Sequence, residues 1–170
     1  MTFEGRLEDR RYDTTDRRLT TADEVLRLRT YNDAHGARAA LEWKGPTRQD
    51  RGYKVRDEIN ATTSDPAELA SILERLGYVV VGEIDRHVVQ YALDNVVIRF
   101  EQYPRMDALV EVEGPPASIE QAIEALGMPR TGFTAERLPA FLARFEARTG
   151  LRAAINDRQL AADGTGSTDA

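Results

Sequence analysis

The chain has 170 residues, of which 41% are hydrophobic and 31% are charged, and its formal net charge is −6. This length and apolar fraction suffice for a globular domain with a core, and the acidic balance argues against a dedicated nucleic-acid-binding protein. The absence of cysteine excludes disulfides, thiol catalysis and cysteine metal sites, and the lack of a long apolar run predicts a soluble, cytoplasmic protein without a membrane partner.

Seven segments alternate apolar and polar residues as β-strands do. They span 24–31, 39–44, 53–61, 79–84, 87–93, 96–102 and 108–113. Hairpin turns are predicted at 33–36 and at 94–95. Residues 1–19 are polar and arginine-rich, and we assign no strand to them.

Three helices follow from capping signals and helical spacing. Asp65 is the predicted N-cap of the first helix, which stops at Gly77. The second begins at Ser118 as N-cap and ends at Gly127, and the third covers about 139–148. Strands mixed with a few helices predict an α+β domain on an antiparallel sheet.

The charged residues of the predicted strands share one face, because they recur at every second position. The simplest interpretation is a sheet with one solvated face. The signs are grouped along the chain, however, and a sheet that curls or closes would turn these faces into the walls of a polar lumen. The basic members come mostly early (Arg27, Arg29, Lys44, Lys54, Arg56), and the acidic members come late (Glu101, Glu111, Glu113).

Such a lumen suits a triphosphate. Guanidinium and ammonium groups bind phosphate oxygens, and clustered carboxylates bind Mg²⁺ or Mn²⁺. A metal ion held on the acidic side would bridge to phosphates gripped by the basic side. No glycine-rich phosphate-binding loop is present in the sequence.

Five segments resemble those of CYTH-domain proteins in the triphosphate tunnel metalloenzyme superfamily, which includes class IV adenylate cyclases and thiamine triphosphatases. "DRRYDTTDRRL" (9–19) is similar to the family's "DxYFDTPDxxL", and "LRLRT" (26–30) to its "LRIR". "LEWKGP" (41–46) resembles "LTxKGP", "VRDEIN" (55–60) resembles "xRxExE", and "FEQYPRMDALVEVEG" (100–114) resembles "IDTWPxIPPYLEIEG".

The resemblance implies an antiparallel β-barrel, the triphosphate tunnel, with a few flanking helices and the charges inside. It implies a CYTH-like domain over 1–155 and leaves 156–170 as a disordered tail. The implied triphosphate-binding residues are Arg27, Arg29, Lys44, Arg56 and Arg86, and the shared parity of the strands adds Lys54 and Arg99. The implied ligands of Mg²⁺ or Mn²⁺ are Glu111, Glu113, Glu101 and Glu58, and the implied catalytic residues are Lys44, Arg56 and Glu58.

The chain departs from the family pattern at several places. The N-terminal ExExK strand has no counterpart in "MTFEGRLEDRR", so we expect a domain lacking that strand, through either a truncated start or degeneration. Asn60 replaces an expected glutamate, and Val88 replaces an expected basic residue.

Three functions follow as hypotheses: hydrolysis of a triphosphate, cyclisation of ATP to cyclic AMP, or binding of a triphosphate or polyphosphate without turnover. The expected partner is a triphosphate-containing small molecule, and a homodimer remains open.

Overall fold

A computed structural model describes residues 1–164, which form nine strands and five α-helices. The strands are β1 (Phe3–Thr14), β2 (Val25–Asp33), β3 (Gly36–Lys44), β4 (Arg48–Asp50), β5 (Tyr53–Val55), β6 (Glu58–Thr63), β7 (Tyr78–Leu93), β8 (Val96–Gln102) and β9 (Leu109–Glu113). The helices are α1 (Arg18–Thr21), α2 (Pro66–Arg75), α3 (Pro116–Ala125), α4 (Leu138–Thr149) and α5 (Asp157–Gly164).

Seven strands are hydrogen-bonded in the order β6-β3-β2-β1-β7-β8-β9, and β4 and β5 form a separate hairpin. The pairings β1–β2, β2–β3, β3–β6, β7–β8 and β8–β9 are antiparallel. The predicted α+β class with a large antiparallel sheet and few helices is therefore confirmed. The predicted barrel is corrected in one respect: over residues 1–164 the order ends at β6 and β9, so the sheet is not closed.

The chain divides into two compact units. The N-terminal unit is Arg6–Asp85, and the C-terminal unit comprises Met1–Gly5 and the described residues from Arg86 onward. The long strands β1 and β7 contribute residues to both.

The core of the N-terminal unit lies where α2 packs on the sheet. Leu28 of β2 and Leu73 of α2 are buried in one cluster, and Leu26 packs against them from the same side of β2. Helix α2 starts as predicted, because Asp65 accepts a hydrogen bond from the Glu68 amide at 3.0 Å. The helix thus covers the apolar face and leaves the opposite face of these strands for the charged residues.

The core of the C-terminal unit joins β8 to α3. Val96 and Ile98 pack with Ala122, and the partly buried Val110 of β9 borders them. Helix α3 starts at Pro116 without a side-chain cap, so the prediction of Ser118 as N-cap was wrong. Proline is favoured at the first helical position, where no amide hydrogen is required.

Several predicted boundaries are corrected. The segment 1–19 contains β1, the predicted strand 53–61 is divided between β5 and β6, and the predicted strands 79–84 and 87–93 are one strand, β7. Helix α5 lies where a disordered tail was predicted, and the rest of that tail, 165–170, lies outside the described residues. Both predicted hairpin turns are present, since Asp33 pairs with Gly36 and Leu93 with Val96.

Within residues 1–164, no helix has the length and apolarity needed to cross a membrane.

Candidate functional site

One face of the sheet in the N-terminal unit carries charged residues in facing pairs. Asp9 of β1 faces Arg29 of β2, and Arg27 of β2 faces Glu42 of β3. Lys44 of β3 likewise faces Glu58 of β6. The leucines between these positions belong to the core on the other side. The predicted shared face is therefore present, but carboxylates of β1, β3 and β6 face its basic residues across the strands, which differs from the expected basic wall.

Four of these side chains form a buried ion network. Arg29 donates to both oxygens of Asp9, from Nε at 2.7 Å and from Nη2 at 2.9 Å. Arg27 donates from Nη1 to Asp9 at 3.2 Å and from Nε to Glu42 at 2.9 Å, and its Nη2 also contacts Glu42. Asp9 is 0% exposed and Glu42 is 7% exposed. Both carboxylates are thus sequestered with the two guanidinium groups.

The network contains two positive and two negative charges. Burial alone disfavours the charged form of Arg29, but the carboxylates of Asp9 and Glu42 raise the pKa of Arg29 well above its usual value. Buried charges persist when they are paired and hydrogen-bonded in this way. The network therefore fixes both guanidinium groups and neutralises them.

The other predicted residues of the N-terminal unit are dispersed. Lys44 Nζ lies 2.6 Å from Glu58 Oε1 at the more exposed end of the face. Arg56 lies in the turn between β5 and β6, where its Nε donates to the Gly45 carbonyl at 2.6 Å. Lys54 is exposed in the β4–β5 hairpin. The structure thus pairs Lys44 with Glu58 and places Arg56 on Gly45, the residue next to Lys44, whereas Lys54 lies in the separate hairpin.

In the C-terminal unit, the buried carboxylate of Glu101 is shared by two donors. Arg86 Nε donates to Glu101 Oε1 at 2.7 Å, and the Tyr103 hydroxyl donates to Glu101 Oε2 at 2.6 Å. Burial, together with the negative charge of Glu101, raises the pKa of Tyr103 far above its ordinary value. Tyr103 therefore remains a proton donor to Glu101 at neutral pH. Both oxygens of Glu101 are engaged, which makes this predicted ligand a structural acceptor in this conformation.

Arg99 of β8 lies among polar residues of its two neighbouring strands. Its Nη1 donates to Glu111 Oε2 at 2.8 Å and to Glu113 Oε2 at 2.9 Å, and its Nε donates to Gln90 Oε1 at 2.9 Å. The Arg99 side chain is 12% exposed, whereas those of Glu111 and Glu113 are 52% and 46% exposed. Two solvent-accessible carboxylates therefore converge on one cationic nitrogen.

A divalent cation held by Glu111 and Glu113 would take the place of the Arg99 Nη1 nitrogen that both carboxylates bind. Mg²⁺ is commonly held by one or two carboxylates together with substrate phosphates and water, and the Arg99 nitrogen marks a point that both carboxylates reach. Over residues 1–164, no group of three or more His, Cys, Asp or Glu is placed to hold a metal ion. A cation on Glu111 and Glu113 would therefore take further ligands from substrate or solvent.

Sequence reasoning missed several residues of these clusters. Asp9 lies in β1, which was not predicted, and no role was assigned to Glu42, Gln90 or Tyr103. The parity of "LEWKG" places Glu42 beside Lys44 on the charged face and was the available signal. Glu42 also lies directly opposite Asn60 in the β3–β6 register, so a carboxylate occurs one strand away from the position where the resemblance predicts a glutamate.

Comparisons with known proteins agree with the fold. The family model described as the CYTH domain matches residues 4–125. The chain is similar to the PH1819 protein of Pyrococcus horikoshii, with 25% identity and a TM-score of 0.60 over 73% of this chain and 72% of that chain. It is also similar in fold to a candidate adenylate cyclase of Vibrio parahaemolyticus, with 19% identity and a TM-score of 0.64 over 84% and 83%.

A third solved structure comes from Hippeastrum and belongs to a candidate adenylyl cyclase that shows a dominant triphosphatase activity. It is 17% identical to this chain, with a TM-score of 0.50 over 72% of each chain. Among curated proteins, no sequence matches the chain significantly.

Proposed function

Because the chain belongs to the CYTH domain family, we propose that it is a divalent-metal-dependent enzyme that binds a triphosphate-containing small molecule and hydrolyses it. The observation that carries this proposal is the convergence of the Glu111 and Glu113 carboxylates on one point, which the Arg99 Nη1 nitrogen occupies. The triphosphatase activity of the Hippeastrum protein, which has a similar fold, supports hydrolysis.

The proposed roles follow from where the residues lie. Glu111 and Glu113 would hold Mg²⁺ or Mn²⁺, which when bound polarises a phosphoryl group. Lys44 lies at the accessible end of its charged face, where its ammonium group can donate to phosphate oxygens. Glu58 is within hydrogen-bond distance of that ammonium group and orients it within the N-terminal unit.

Phosphate release tests the proposal. The purified chain with Mn²⁺ or Mg²⁺ should release phosphate from tripolyphosphate, thiamine triphosphate or ATP. Glu111→Gln should abolish most of this release, because it removes one of the two converging carboxylates. Glu124→Gln is the matched control, since Glu124 is exposed on α3 and lies away from the charged face. Wild-type protein that releases no phosphate from any of the three substrates would refute hydrolysis.

Two other activities can be separated from hydrolysis by product analysis. The Vibrio structure belongs to a candidate adenylate cyclase, and cyclisation would yield cyclic AMP and pyrophosphate from ATP. Binding of a triphosphate or polyphosphate without turnover is the remaining alternative. Calorimetric binding of tripolyphosphate with no product would support that alternative.

A further inference from the structure

We infer that Glu42 is an internal competitor for anions: its carboxylate binds the Arg27 guanidinium where a phosphate group would bind, and it thereby limits the affinity for triphosphates. The inference rests on the proposed function, because the anion concerned is the proposed substrate. It makes Glu42 a determinant of affinity on the charged face of the N-terminal unit.

The geometry of the Arg27–Glu42 pair supports this role. One oxygen of Glu42, Oε2, accepts from Arg27 Nε at 2.9 Å and also contacts Nη2. These two nitrogens form the edge of the guanidinium that carboxylates and phosphates both recognise. A phosphate and Glu42 therefore require the same two hydrogen-bond donors of Arg27, and binding of one weakens the hydrogen bonds to the other.

The charges of this face point the same way. Lys44 is paired with Glu58, and Arg27 and Arg29 are paired with Glu42 and Asp9. These six groups sum to zero net charge, and Arg11 of β1, opposite Arg27, adds one positive charge, whereas a triphosphate carries several negative charges. Removing one carboxylate charge at hydrogen-bond distance from a guanidinium should strengthen anion binding there, because unit charges interact appreciably at such distances.

Asp9 differs from Glu42 in its surroundings. Asp9 is fully buried and holds Arg29 through two parallel hydrogen bonds, which is the arrangement of a structural anchor. Glu42 pairs with the more exposed arginine, since the side chain of Arg27 is 15% exposed and that of Arg29 is 6% exposed. Across the strand pair from Glu42 lies the exposed Asn60 of β6, so Glu42 borders the open edge of the sheet.

Calorimetric titration with tripolyphosphate in the absence of divalent cations tests the inference. Glu42→Gln keeps the shape of the side chain and removes its charge, and it should tighten binding by roughly tenfold or more. Glu68→Gln, at an exposed position of α2 away from this face, should bind as the wild type does. Adding Arg27→Gln to the Glu42→Gln protein should abolish the gain in affinity for tripolyphosphate, because the gain depends on the Arg27 guanidinium.

A second variant covers the case in which Glu42→Gln does not fold. Glu42→Asp retains the charge but is one methylene shorter, so it should lose contact with Arg27 and tighten binding by a smaller factor. If the wild type releases phosphate but neither variant binds tripolyphosphate more tightly, the inference is overturned and the proposed function stands. If no variant binds tripolyphosphate and the wild type releases no phosphate, both are overturned. Tighter binding that survives Arg27→Gln also overturns the inference.

Discussion

The buried carboxylate of Asp13 allows a quantitative prediction about stability. Asp13 lies in the "DRRYDTTDRRL" segment, one of the five that resemble the family. Its Oδ1 accepts from the Leu19 amide at 2.9 Å, and its Oδ2 accepts from the Thr20 amide at 2.9 Å and from the Thr20 hydroxyl at 2.6 Å. The side chain is buried and joins the end of β1 to α1. We therefore expect Asp13→Asn to destabilise the fold, because the new amide group would point a donor at a buried donor.

The magnitude can be worked from the pKa. Burial alone would raise the pKa of Asp13, but the hydrogen bonds from Thr20, Leu19 and Thr14 lower it from 3.8 to about 2. This difference corresponds to about 2 kcal/mol of stability, similar to the roughly 1–3 kcal/mol cost of leaving a buried donor unsatisfied. Because the folded-state pKa lies below the unfolded value, the contribution is present above about pH 4 and is lost as the pH falls toward 2.

Urea unfolding of the wild type and Asp13→Asn at several pH values measures this contribution. We expect the free energies of unfolding to differ by about 2 kcal/mol at pH 7 and to converge below pH 4. Asp16→Asn is the control, because Asp16 lies in the same loop and accepts an exposed hydrogen bond from the Thr14 hydroxyl. Equal stability of Asp13→Asn and wild type at pH 7, or a difference that does not change down to pH 3, would refute the reasoning.

Three further predictions concern the C-terminal unit. Glu111→Ala should weaken Mn²⁺ binding, measured by electron paramagnetic resonance of free Mn²⁺, whereas Glu124→Ala should not; equal affinities would contradict the assignment of the cation position. Tyr103 should remain protonated in an ultraviolet titration up to pH 11, because burial and the Glu101 charge raise its pKa, and a difference spectrum against Tyr103→Phe that shows ionisation near pH 10 would exclude the burial described. Gly114→Ala should destabilise the protein by about 1–3 kcal/mol, because the added Cβ would lie 2.8 Å from a backbone oxygen; an unchanged urea midpoint would show that the turn yields.

The alternation in β2 predicted its two faces correctly, because each position carries a residue that is either clearly apolar or charged. Leu26 and Leu28 enter the core, and Arg27 and Arg29 enter the ion network. Alternation failed for β1, because its buried positions include charged residues. Asp9 and Asp13 are as buried as Leu7. Apolar and polar residues therefore do not alternate in β1 in the way that marks a strand.

Buried charged residues are also the reason that β7 was predicted as two strands. Asp85 and Arg86 interrupt its apolar pattern, yet both are buried, each with an oppositely charged partner. The separation into basic and acidic walls failed for a related reason. Parity assigns a residue to a face, but which charges meet depends on the register between strands, and that register placed Glu42 on Arg27.

The ion network also bears on how the strands find their alignment during folding. A slip of β2 by one residue against β1 and β3 would exchange the faces of all its side chains. Two leucines would then lie against the carboxylates of Asp9 and Glu42, and two guanidinium groups would enter the apolar layer under α2. Each misplacement would leave a buried charge without its partner, which costs several kcal/mol. Charges that weaken the face as an anion site thus exclude incorrect alignments of the sheet that carries them.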